Sequence, residues 1–171
     1  IVLLTGEIGS GKTLLSRALI DSLDGSYHPI LIINPRLSPV QLLRAVAMRL
    51  GVDDAGHGRH VLLEEINAQL YRHDESGKRT VVIIDESQLI PDKATFEELR
   101  LLTNFQLDDR NLLALVLIGQ PELRTRLERS PYEALRQRIG MQYHLGPLDR
   151  EETGAYVRHR LRVAGREDPL F

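Results

Sequence analysis

Gly6-Glu7-Ile8-Gly9-Ser10-Gly11-Lys12-Thr13 decides how this chain is read. The stretch fits G-x-x-x-x-G-K-[ST], the phosphate-binding loop called Walker A. Ile1-Val2-Leu3-Leu4 before it is a short apolar run, as a buried parallel strand requires. Leu14, Leu15, Ala18 and Leu19 after it fall at helical spacing. The loop therefore joins a strand to a helix, the context that separates a nucleotide loop from a glycine-rich turn. Its glycines let backbone N–H groups turn inward around a polyphosphate, and the helix N-terminus adds a favourable dipole. In such a loop Lys12 reaches the β- and γ-phosphates and the Thr13 hydroxyl binds Mg²⁺.

The partner of that loop is Val81-Val82-Ile83-Ile84-Asp85-Glu86, four apolar residues ending in two carboxylates. This is the Walker B pattern. Asp85 is the expected Mg²⁺ ligand, through the water that Mg²⁺ keeps. Glu86, one residue on, is placed to polarise an attacking water as general base. Gly119-Gln120-Pro121 closes another apolar run. Gln120 is read either as a γ-phosphate or water contact or as a turn residue before a proline-started helix. Arg136-Gln137-Arg138 precedes the last apolar segment. There Arg138 first, and Arg136 second, are candidates for an arginine that crosses a subunit interface; the other reading is a solvated pair.

Outward from these motifs the chain alternates strand and helix. The first helix is expected from Lys12 to about Leu23, and a second strand over Pro29–Ile33. Ser38-Pro39-Val40-Gln41 is a helix start, with Ser as N-cap, Pro at N1 and Gln at N3. Gly51 ends that helix, and a polar loop runs over residues 52–58. A third helix is expected over Arg59–His73, a strand over Thr80–Ile84 and a helix from about Lys93 to Phe105. A strand over Leu112–Ile118, a short helix over Pro121–Arg129 and a strand over Ile139–Leu145 follow. A last helix is capped by Asp149 with Glu152 at N3. This order predicts an α/β domain whose parallel sheet is covered by helices on both faces, with ligands at the carboxyl ends of the strands.

The 171 residues suffice for one domain with a real core. Net charge is −2, so bulk electrostatics argues against strong nucleic-acid binding. The absence of cysteine excludes disulfides and thiolate metal sites. The six histidines show no H-E-x-x-H pairing, and no G-x-S-x-G is present, so neither a zinc site nor a serine nucleophile is expected. No apolar run approaches the ~20 residues of a membrane span. The chain opens directly in a strand without a start methionine, and we read it as a domain of a longer protein.

Taken in order, LLTGEIGSGKT, NPRLSPVQLLRAVA, VVIIDESQLI, LRLLTNFQ, LIGQPELR, LRQRI and YHLGPLDREETGAYVRHRLRVAG resemble the AAA+ division of P-loop ATPases. Within it the chain is similar to the ATPase domains of the general secretion pathway A family, with the transposition-regulator ATPases as a related branch. The resemblance implies a three-layer, additional-strand P-loop fold with five parallel strands. It implies an α/β core over residues 1–146 and the start of a helical lid over 147–171. It implies Mg-ATP at Gly6, Glu7, Ile8, Gly9, Ser10, Gly11, Lys12, Thr13 and Leu14, and Mg²⁺ at Thr13 and Asp85. Glu86 would activate water and Gln120 would be the first sensor, where AAA+ proteins more often carry Asn, Ser or Thr. Arg138 would be the arginine finger of a ring, a hexamer by the likeness. Pro147, Leu148 and Tyr156 would sit near the adenine. The second sensor arginine normally comes later than residue 171, so weak nucleotide binding and poor hydrolysis are expected of this stretch alone. The resemblance further implies the cytoplasmic domain of a bacterial inner-membrane protein of type II secretion. Such a protein works with a partner membrane protein on secretin assembly and binds peptidoglycan through regions outside this chain. A DNA-associated transposition ATPase and a nucleotide-binding interaction module with little turnover remain the alternative readings.

Overall fold

The apolar runs fold into one sheet of five parallel strands. A computed structural model describes residues 1–53, 56, 58–108 and 110–166. The strands are β1 (Val2–Gly6), β2 (Tyr27–Ile32), β3 (Arg79–Ile84), β4 (Leu113–Gly119) and β5 (Met141–Leu145). The helices are α1 (Lys12–Ser22), α2 (Pro39–Arg49), α3 (Arg59–Glu75), α4 (Lys93–Leu102), α5 (Pro121–Leu127), α6 (Glu133–Arg136) and α7 (Arg150–Val163). The spatial order is β2-β3-β4-β1-β5, so β4 lies between the strands that carry the two phosphate motifs. This is the additional-strand arrangement, and the expected fold class holds.

Alternation along each strand explains why helices cover both faces. Side chains two apart share a face. Leu3, Val82, Ile84, Leu115 and Leu117 join the larger core under α2 to α6. Leu4, Val81, Ile83 and Ile118 face the other way, against Leu19 and Ile20 of α1. Val82, Ile83 and Ile84 are fully buried in succession, which is why β3 reads as an unbroken apolar run. Across the α-helical layer, Arg59 makes a two-pronged ion pair to the buried Glu98, fastening α3 to α4.

Capping follows the local sequence. Ser38 accepts from the Gln41 N–H, and Gln41 reaches back to the Ser38 N–H, a complete capping box. Asp149 and Glu152 repeat it at α7. Several boundaries differ from expectation. β2 begins at Tyr27 rather than at Pro29, because β2 is an edge strand and a proline there forfeits no ladder bond. α4 stops at Leu102 rather than Phe105, where the Thr103 hydroxyl donates to the Arg100 carbonyl and Gln106 then bridges back to Asn111. α5 stops at Leu127, and a 3-10 turn over Ser130–Tyr132 and α6 fill what was expected to be loop. Residues 54, 55 and 57 of the expected polar loop, and 167–171 of the expected lid, lie outside the described residues.

Candidate active site

The phosphate loop leaves β1 at Gly6 and enters α1 at Lys12. Gly9 and Gly11 take φ of 81° and 90°, the left-handed region that a side chain resists. Gly6 is required for space instead: a Cβ there would lie 2.6 Å from Ser10 Oγ and 2.9 Å from the Leu145 carbonyl oxygen. The loop is thus pressed against the end of β5. No side chain caps α1, so its first backbone N–H groups stay available to an anion. Lys12 is nearly buried, and its Nζ donates to the carbonyls of Gly6 (2.8 Å) and Glu7 (2.7 Å). Those bonds hold the ammonium along the floor of the loop.

The two motifs meet through one hydrogen bond. Thr13 Oγ1 donates to Asp85 Oδ2 at 3.0 Å. Asp85 is 1% exposed, and its other oxygen accepts the Glu86 N–H at 2.9 Å. A hydroxyl and a carboxylate side by side are the hard oxygen ligands that Mg²⁺ takes together with substrate phosphate and water. Among the described residues no group of three or more His, Cys, Asp or Glu side chains converges as for a metal held by protein alone. The Thr13 hydroxyl and the Asp85 carboxylate are a donor pair that fits Mg²⁺.

Glu86 follows in the left-handed conformation, φ 56° and ψ 37°, uncommon for a residue with a side chain. The turn lets the chain leave the sheet immediately after Asp85 and enter a 3-10 turn over Ser87–Leu89. A cleft of about 350 Å³ is lined by Gly9, Lys12, Thr13, Glu86 and Gln120. Gln120 is the N-cap residue of α5, yet its side chain makes no cap bond. So the cleft is lined by a cation, the Thr13 hydroxyl, a carboxylate and an amide, with the buried Asp85 bonded to Thr13 behind it.

Beside it lies a wider, mostly apolar cavity of about 660 Å³. Ile8, Leu14, Leu15, Pro147, Leu148 and Tyr156 line it. Ile8 is 82% and Leu14 65% exposed, a local patch of apolar surface at the mouth of the phosphate loop. The structure brings Pro147, Leu148 and Tyr156 to this cavity. Leu15 and Ala18 also line it, although by helical spacing they read as core positions.

Arg138 is not brought to the cleft. It precedes Met141, whose partner in β1 is Val2, at the end of the sheet opposite the phosphate loop. Its Nη1 donates to the Thr103 carbonyl (3.3 Å) and hydroxyl (3.1 Å) at the C-terminal end of α4. Arg136 is exposed, with Nη1 3.4 Å from the Glu128 carbonyl. One residue at the cleft went unread in the sequence. Gln88 donates to Glu86 and accepts from the Gln120 backbone. Its only sequence signal is a second polar side chain just past Asp85-Glu86.

Comparison with known proteins bears on the family and the fold. The AAA domain family matches residues 1–127. General secretion pathway protein A of Aeromonas hydrophila is 44% identical over 99% of this chain, which spans 31% of that relative's length. Among solved structures, the ADP form of the ORC2 protein of Aeropyrum pernix superposes with a TM-score of 0.71 at 18% identity, over 95% of this chain and 46% of that one. A Walker-type ATPase of Pyrococcus abyssi gives 0.68 at 18% identity, over 98% of this chain and 55% of that one. At such identities the structural likeness bears on the fold alone.

Proposed function

The chain belongs to the AAA domain family, and from that premise we propose that it binds ATP with Mg²⁺ and hydrolyses it to ADP and phosphate within a secretion-pathway protein. The observation that carries the proposal is the Thr13–Asp85 hydrogen bond, with Lys12, Glu86 and Gln120 around the same cleft. The loop N–H groups and Lys12 bind and neutralise the phosphates. Thr13 and Asp85 hold the metal, which neutralises phosphate charge when bound. Glu86 takes a proton from water as the water oxygen attacks the γ-phosphorus. The bond from that phosphorus to the ADP oxygen breaks, and ADP leaves. Gln120 orients the water or the γ-phosphate. The apolar cavity, lined by Pro147, Leu148 and Tyr156, would take the adenine. Residues 1–146 act as the core and 147 onward as the start of a lid over the base.

The likeness to general secretion pathway protein A supports the finer reading: a cytoplasmic domain of an inner-membrane protein that drives assembly or insertion of the secretin through the cell wall. In that reading an inner-membrane partner is engaged, and peptidoglycan is bound by regions outside this chain. Among the described residues no helix is long and apolar enough to cross a membrane.

Lys12→Ala should bind ATP at least ten- to hundred-fold more weakly, because losing one charge-assisted contact costs roughly 1.5–3 kcal/mol. Titration with a fluorescent nucleotide reads this directly, and wild-type affinity in the variant would remove the proposed site. Duplex DNA should show no submicromolar, salt-sensitive binding in fluorescence anisotropy with or without ATP, given the net charge of −2. Tight binding that falls steeply with salt would favour a DNA-associated ATPase instead.

A further inference from the structure

Gln88 is the link between the ends of two strands. Its Nε2 donates to Glu86 Oε2, and its Oε1 accepts the backbone N–H of Gln120 at 3.1 Å. These partners fix which way the amide points, since a carboxylate only accepts and a backbone N–H only donates. A primary amide presents one donor and one acceptor on a single planar carbon, so it satisfies both at once. The fold makes room for it. A Cβ on Gly119 would lie 2.8 Å from Gln88 Oε1, so a larger residue at the end of β4 would displace the amide.

The segment that carries Gln88 is fixed on either side. Ser87 Oγ donates to the Ile84 carbonyl at 2.8 Å. Farther on, Arg126 of α5 donates to the carbonyls of Ile90 and Pro91, and its guanidinium lies 5.0 Å from the Phe96 ring centre and 5.4 Å from that of Tyr132. The exit of β3 is therefore bound to α5 at its far end and to the start of α5, through Gln88, at its near end.

We propose that Gln88 is a positioning residue for ATP hydrolysis: it holds one oxygen of Glu86, leaves the other for the attacking water, and locks the base to the strand end that carries Gln120. The inference rests on the ATPase reading above. It makes Glu86 and Gln120 one unit, so that a shift of the β4 end on contact with the γ-phosphate re-aims the base.

The test uses the intact protein in single-turnover assays with protein in excess over labelled ATP. Gln88→Met removes both hydrogen bonds at nearly the same length. It should slow the single-turnover rate about ten- to hundred-fold, the scale of a misplaced reacting group, with nucleotide affinity unchanged. Gln88→Glu keeps an acceptor for the Gln120 N–H but can no longer donate to Glu86. It should slow the single-turnover rate while leaving nucleotide affinity unchanged, a split between rate and binding that lost packing would not produce. Added to Glu86→Gln, the Gln88→Met change should cost less than about two-fold more, because residues acting through one another are not additive.

Full wild-type single-turnover rate in both single variants would overturn the role of Gln88 while leaving the ATPase reading intact. Multiplying losses in the double variant would do the same. Absence of ATP binding or hydrolysis in the wild type would instead bring down the ATPase reading, and this inference with it. Should Gln88→Met fail to fold by thermal melting, the single-turnover rate and nucleotide affinity of Gln88→Glu decide.

Discussion

Glu86→Gln protein should bind ATP as the wild type does and hydrolyse it about 10²–10⁴-fold more slowly. The substitution keeps the side-chain length and the left-handed backbone that carries it, φ 56°. It removes only the ability to take a proton from water. Binding should survive because the groups that hold the phosphates and the metal lie elsewhere. Lys12 and the loop N–H groups belong to β1 and α1, and Asp85 keeps its bond to Thr13. The expected signature is a split: unchanged affinity in a fluorescent-nucleotide titration, with ATP trapped on the protein in single-turnover assays. An unchanged hydrolysis rate would remove Glu86 from the mechanism and turn attention to Gln120 as the water contact. Parallel loss of binding and rate would mean that the substitution has disturbed Asp85, since the Glu86 N–H donates to its Oδ1.

What could be read in the sequence was what chain neighbours or regular periodicity decide. Residues 6–13 and 81–86 are contiguous, so their chemistry survives without knowledge of the fold. Unbroken apolar runs made β3 and β4 visible, and the capping boxes at Ser38 and Asp149 marked two helix starts to the residue. Errors arose where a distant part of the chain decides a local outcome. Pro29 looked like a strand start because a proline cannot serve a central strand, and only the sheet order reveals that β2 lies at an edge. Leu15 looked like core, since helical spacing says which residues share a face but not that this face opens on a cavity. Gln88 escaped because its partners are two and 32 residues away, and only the placement of β4 beside β3 brings them together. Helix α6 escaped because its four residues are too few for a periodic pattern.

Arg138→Ala protein should be nearly inactive alone and should regain activity when mixed with Lys12→Ala protein. The geometry behind this is a separation. Arg138 lies before the first residue of β5, which pairs with the first residue of β1, while the phosphate loop leaves the last. Five residues of strand span ~16 Å, more than an arginine side chain reaches from the opposite end of the sheet. Arg138 therefore has no route to the nucleotide of its own chain, and any action on a γ-phosphate must be on a neighbour's. An arginine supplied in trans can accelerate phosphoryl transfer ~10³–10⁵-fold. Head-to-tail contacts that place it there repeat around a ring or along a filament. Within one chain the guanidinium is held by the Thr103 carbonyl and hydroxyl, so assembly must exchange those bonds for the phosphate. Thr103→Val removes the hydroxyl contact and should not lower the assembled rate. In the mixture, an intact arginine from Lys12→Ala subunits meets an intact phosphate site on Arg138→Ala subunits. Recovery of part of the activity that neither variant has alone is the expected result. Full activity of Arg138→Ala alone, still dependent on protein concentration, would move the role to Arg136, whose exposed guanidinium has only a 3.4 Å contact to the Glu128 carbonyl. Wild-type turnover per subunit that is independent of protein concentration, from a species that sediments as a monomer, would end the ring mechanism for this chain.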